Sequence, residues 1–194
     1  MRWIGYCGMY DMQTEVITQS DTIQEAFDIA ISGFAELHNT KVKLIQRRIP
    51  STTMRAQPTL ELFPGLQLKR IYKIEISYVC KIDNRTPTAD LPLDVLVGWM
   101  AHELGHVRDY YERSNLEMLQ YGFKYLTSHA FKKQVERQAD IFAIQNGYGD
   151  EIIQAKRYIL SHADLDPKYK RQLEKYYCSI EEIEEMIVDS RNDD

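Results

Sequence analysis

The chain has 194 residues, of which 44% are hydrophobic and 27% charged, and a net charge of −5, values near those of an ordinary globular domain. No apolar run nears the roughly 18 residues that a membrane-crossing helix requires. No basic stripe of the kind that phosphate backbones select is present either, so neither a membrane span nor a nucleic-acid partner is expected.

The N-terminus, MRWIGYCGMYDMQTEV, has no long apolar segment and no small-residue cleavage site, and residues 1–19 are expected to form a flexible N-terminal segment. Cys7, Cys80 and Cys178 are odd in number and widely spaced, which suits reduced thiols and a cytoplasmic protein rather than a disulfide framework. In SDTIQEAFDIAISGFAELHN, Thr22 with Glu25 makes a capping box. Ile23, Phe27, Ala30, Ile31, Phe34 and Leu37 form an apolar stripe at helical spacing, with Asn39 as the stop.

Val42 to Gln46 reads as a short strand, after which Pro50, Pro58, Pro64 and Gly65 mark a connection poor in regular structure. RIYKIEISYVC then alternates, with Ile74, Ile76 and Tyr78 on one face and Lys73, Glu75 and Ser77 on the other, as expected of a strand with one buried face. Asp90 is an acceptable N-cap, with Pro92 in the first turn of a helix that runs to about Tyr111. Further helical patterns follow at about 114–128, 130–146, 150–162, 168–178 and 179–188. The stripe Leu116, Leu119, Phe123 and Leu126 reads as core, or as the lining of a substrate groove. The stretch 179–194 reads as an acidic terminal helix and tail, with seven carboxylates against Arg191. The whole is an α+β domain: a short mixed or antiparallel sheet packed on the helix at 92–111, then a helical second half.

That helix carries HELGH, residues 102–106. Residues four apart share a helix face, so His102 and His106 can present both imidazoles to one ion. Glu103 lies beside them, within reach of a water but poorly placed as a ligand. Zinc accepts neutral imidazole nitrogens, and a catalytic site uses three protein ligands with one open position. The third ligand must come from elsewhere. In VERQADIFAIQNG, Glu136 and Asp140 are again four apart: Glu136 can complete the set and Asp140 can accept the second N–H of a histidine ligand, fixing its tautomer.

HELGH followed by an ExxxD helix resembles the gluzincin zinc metallopeptidases, particularly the small single-domain members, over about residues 92–146. The resemblance implies a single zincin-like domain over 1–194 that hydrolyses peptide bonds. Zinc would be held at His102, His106 and Glu136, Glu103 would be the general base, and the strand at 71–79 would be the edge strand above the site. It also implies a downstream oxyanion-stabilising Tyr or His, for which Tyr148, Tyr158 and His162 are candidates; Tyr158 is preferred because a helix would hold it rigidly. Three alternatives stand beside this reading. One reads Glu136 as a surface charge paired with Lys132 or Lys133. His129 would give an all-histidine site similar to the SprT-like proteases. The last reads the cluster as holding zinc for peptide binding without turnover. Asp109, one turn beyond His106, is read either as a partner of the metal histidines or as a partner of a nearby Arg.

Overall fold

The computed structural model describes residues 15–18, 20–63, 67–161 and 167–192. Glu15–Ile17 form β1, so part of the segment expected to be flexible is a strand, paired in parallel with β2 (Val42–Arg47). Residues 1–14 and Gln19 of that segment lie outside the described residues. The first helix, α1, spans Asp21–Gly33, and its cap is Ser20, whose hydroxyl accepts the Ile23 N–H at 3.3 Å, rather than Thr22. It stops well before Asn39, and Ala35–Leu37 form a separate 3-10 turn. The reason is local. Tyr148 closes onto the end of α1, its hydroxyl accepting from the Gly33 N–H at 3.1 Å and donating to the Ile29 carbonyl, while its ring stacks on Phe34.

The segment expected to lack regular structure is instead β3 (Met54–Phe63), antiparallel to β4 (Gln67–Ser77). Pro58 suggests a break because it donates no ladder hydrogen bond, but β3 is an edge strand, where a missing donor is tolerated. The sheet order is β1-β2-β4-β3, with β2 and β4 parallel, so the strand at 71–79 corresponds to β4 and is interior. The edge beside the site is β3. The alternation of β4 is as expected for Ile74 and Ile76, which are buried. Tyr78 lies beyond the strand and is exposed, and Glu75 is buried because Arg47 and Arg55 close over it at 3.1 and 2.6 Å.

The central helix, α2 (Leu93–Tyr111), starts after Pro92 without a side-chain cap, since Asp90 closes a 3-10 turn at Thr88–Asp90. Then come α3 (Asn115–Thr127), α4 (His129–Gln145), α5 (Gly149–Ser161), α6 (Pro167–Tyr176) and α7 (Ile180–Asn192). The fold is α+β with a mixed sheet and a helical second half, and one hydrophobic cluster runs through it from Ile23 to Ile183. Two glycines let helices cross closely on α2. A Cβ on Gly98 would stand 2.2 Å from the Glu151 carbonyl oxygen, and one on Gly105 would stand 2.4 Å from that of Ala139. These crossings fix α5 and α4 against the helix that carries HELGH. No described helix is long and apolar enough to cross a membrane.

The stripe on α3 is not core. Leu116, Leu119, Phe123 and Leu126 are 67%, 74%, 70% and 86% exposed, while Tyr121, on the opposite side of the helix, is buried. Helical spacing identified the face correctly and its direction wrongly, because the tyrosines of α3 turn inward, Tyr121 to pack on Tyr110 and Phe131 and Tyr125 to donate to Glu136.

Candidate metal centre

His102, Glu103 and His106 occupy one turn of α2 at its closest approach to α4, and Glu136 and Asp140 face them from the buried side of α4. His102 Nε2 is 3.3 Å and His106 Nε2 is 3.4 Å from Glu136 Oε2, and ligand atoms of all three lie within 4.8 Å of one another. Tetrahedral coordination by N and O donors at zinc distances sets ligand atoms about 3.3 Å apart, so the separations suit such an ion.

The donor chemistry makes the same point. His102 Nδ1 lies 2.8 Å from Asp140 Oδ1 and donates to it. The Nε2 of a neutral ring is then an acceptor, and it faces the carboxylate oxygen of Glu136, also an acceptor. Such a contact requires a proton or a metal ion between acceptors. In the metal-free protein, burial works against a charged His102, yet Asp140 and Glu136 raise it to about 10. Burial likewise acts to raise Glu136, but the hydrogen bonds and charges of His102 and His106 prevail and hold its carboxyl well below the usual range. Burial also opposes ionisation of Asp140, which Lys156 and His102 nevertheless bring down to about 2.

Glu103 differs. Burial pushes its carboxyl up, against the pull of His106, His102 and the Ala56 backbone N–H on β3. A carboxyl in that state, beside side chains that could hold a metal ion, suits proton transfer.

Among the expected residues, the structure brings together His102, Glu103, His106, Glu136 and Asp140. His129 is not with them: its Nδ1 lies 2.6 Å from the Tyr176 hydroxyl, two turns up α4 from Glu136. Asp109 bonds Arg113 at 2.7 Å, the second of its two readings, and His106 Nδ1 is buried without a hydrogen-bond partner. Tyr148 is the staple on α1 described above. Burial and the nearby Cys80 and Asp83 push the Tyr158 hydroxyl up, and Tyr158 is not among the residues that line the cavity beside His102 and Glu103. It sits on α5 two residues from Lys156, a turn of about 200° that puts the two on opposite sides of the helix. His162 lies outside the described residues.

Three groups were missed in the sequence. Tyr125 donates to Glu136 Oε1 at 2.6 Å. Lys156 lies 3.3 Å from Asp140 Oδ2. Tyr177 sets its ring 5.6 Å from that of His102. Tyr177 lines a cavity of about 90 Å³ with His102, Glu103, Trp99, Lys156 and Met54, among others. No motif marks these three positions; only the folding of α3, α5 and α6 around α2 collects them. No protein-family model, curated protein or solved structure matches the chain.

Proposed function

We propose that the chain is a zinc-dependent peptidase of gluzincin type. The observation that carries this reading is the convergence of His102, His106 and Glu136 on one point, with Glu103 buried in the same helical turn. Zinc held by these side chains supplies a lowered pKa for water and a positive charge for a substrate carbonyl. Glu103 takes the proton of the attacking water and passes it to the leaving amine, a task suited to a carboxyl raised by burial. Asp140 fixes the tautomer of His102, and Tyr125 fixes the orientation of the Glu136 carboxylate. Tyr177, on the cavity wall, takes the oxyanion-stabilising role that sequence reasoning gave to Tyr158. An extended peptide or protein substrate runs along the edge strand β3, whose Ala56 N–H already reaches the general base. The buried unbridged thiols Cys80 and Cys178 suit a reducing compartment such as the cytoplasm.

The test is metal content by elemental mass spectrometry beside cleavage of quenched peptides, with and without chelator. One zinc per wild-type chain and chelator-sensitive cleavage are expected, with Glu103→Gln keeping zinc and losing hydrolysis. A wild type without zinc, or cleavage indifferent to chelator, overturns the proposal. Zinc without cleavage across a broad peptide panel identifies a zinc-holding peptide-binding module instead.

A further inference from the structure

We propose that Lys156 is a positioning residue for the metal centre, acting through Asp140 on His102. This rests on the metal site of the reading above, but not on its hydrolytic activity. The chain of contacts is continuous: Lys156 Nζ lies 3.3 Å from Asp140 Oδ2, and Asp140 Oδ1 lies 2.8 Å from His102 Nδ1, leaving His102 Nε2 to face Glu136. Each link is out of bulk solvent, with the Lys156 side chain 13% and that of Asp140 1% exposed. Lys156 belongs to α5, which the Gly98 crossing presses onto α2, so the ammonium approaches Asp140 from a fixed direction. Its stem packs in the cavity wall, and its Nζ stands 5.3 Å over the ring of Tyr177.

Two physical needs are met at once. Asp140 Oδ2 is buried and makes no hydrogen bond, so the ion pair with Lys156 is what compensates it. A buried carboxylate oxygen without compensation is costly, and the group would turn or take up a proton, releasing its hold on the imidazole. The second need is charge. The carboxylates of Glu136 and Asp140 both face His102, and the Lys156 ammonium is a cation placed against them. The positioning role and a bystander role therefore predict opposite signs. If Lys156 were only a nearby cation, removing it would favour a dication electrostatically. If it holds Asp140, and Asp140 holds His102, removing it weakens metal binding.

The experiment uses the full chain, with zinc affinity measured by competition against a chromophoric chelator and the visible spectrum of the cobalt(II)-loaded protein, neither of which depends on turnover. Lys156→Met is expected to weaken zinc binding about tenfold or more, the usual effect of losing a partner behind a metal ligand, and to change the cobalt bands. Lys156→Arg restores both. In an Asp140→Asn background Lys156→Met has no further effect, because the two act in series. Lys156→Gln keeps a donor towards Asp140, falls between these limits, and serves if the Met variant is poorly folded by circular dichroism. A Lys156→Met protein that is folded and binds zinc as tightly as wild type, or more tightly, overturns the inference. A wild type that binds zinc but cleaves nothing leaves it standing and removes only the peptidase reading. A wild type that binds no zinc removes both.

Discussion

Tyr125→Phe removes one oxygen atom and little else, and the structure says what that atom does. The Tyr125 hydroxyl donates to Glu136 Oε1 at 2.6 Å, while Glu136 Oε2 faces His102 and His106. The ring keeps its surroundings in the variant, since its stack on Tyr121 at 6.3 Å and the Lys132 ammonium 5.3 Å over its face involve no hydroxyl. The loss is thus one hydrogen bond to a charged acceptor that is 2% exposed. Such bonds contribute about 1.5–3 kcal/mol. At 1.4 kcal/mol per decade, zinc affinity should fall roughly 10- to 100-fold if the bond orients the ligand oxygen, in line with losses seen for groups behind metal ligands. Urea unfolding in chelator should show a smaller loss, because His102 and His106 still hold Glu136 in the metal-free protein. The assay is chelator competition for zinc, paired with urea unfolding of the stripped protein. Unchanged affinity and unchanged stability would refute the view that Tyr125 holds the third ligand.

Gly105→Ala should drive α2 and α4 apart, since its Cβ would meet the Ala139 backbone at 2.4 Å. A loss of about 3 kcal/mol in urea unfolding is expected, with zinc content falling as the histidines separate from Glu136; an alanine variant of wild-type stability would contradict the crossing. The pH dependence of the stripped protein follows from His102, raised to about 10 by Asp140 and Glu136 against the opposing effect of burial. A raised imidazole stabilises fully below its unfolded value of about 6.5, and that contribution disappears as pH rises towards 10. Asp140 acts in the opposite sense: brought down to about 2, it stabilises above its unfolded value near 4, and this is lost on acidification through 2. Unfolding in chelator at pH 7, 8.5 and 10 should therefore show falling stability, and a flat profile would refute the His102 assignment. On α3, exposed Phe123→Ser should change stability by no more than about 0.5 kcal/mol, whereas buried Tyr121→Ala should cost about 3 kcal/mol or more; equal effects in thermal unfolding would show that the inner face is misassigned.

What was legible in the sequence was whatever depends on helical periodicity. HELGH on one turn and Glu136 with Asp140 on another are both four-residue relations, and four-residue relations survive folding unchanged. The boundaries of α3, α4 and α5 fall within a residue or two of their expected positions for the same reason. Strand β3 was not legible, because Pro58 and Pro64 suggest a loop unless one knows that the strand lies at an edge. The outward turn of Leu116, Leu119, Phe123 and Leu126 was hidden for a related cause. An apolar stripe reports a face, but the inward face of α3 is the one with Tyr121, whose ring packs on Tyr110 and Phe131, and Tyr125, whose hydroxyl donates to Glu136. Tyr177 was not legible as a neighbour of His102, because no motif shows that the chain returns over the site just after α6.

The Tyr148 staple has a kinetic consequence. Its hydroxyl joins groups 115 and 119 positions apart in the sequence, tying the end of α1 to the turn that precedes α5. Sheet, central helix and late helices thus close on each other through contacts of long sequence separation, which raises contact order and slows the search for the native topology. A nascent chain released only as far as the HELGH turn of α2 lacks both Glu136 and the phenol that locks α1, so the histidines emerge well before anything exists to orient them.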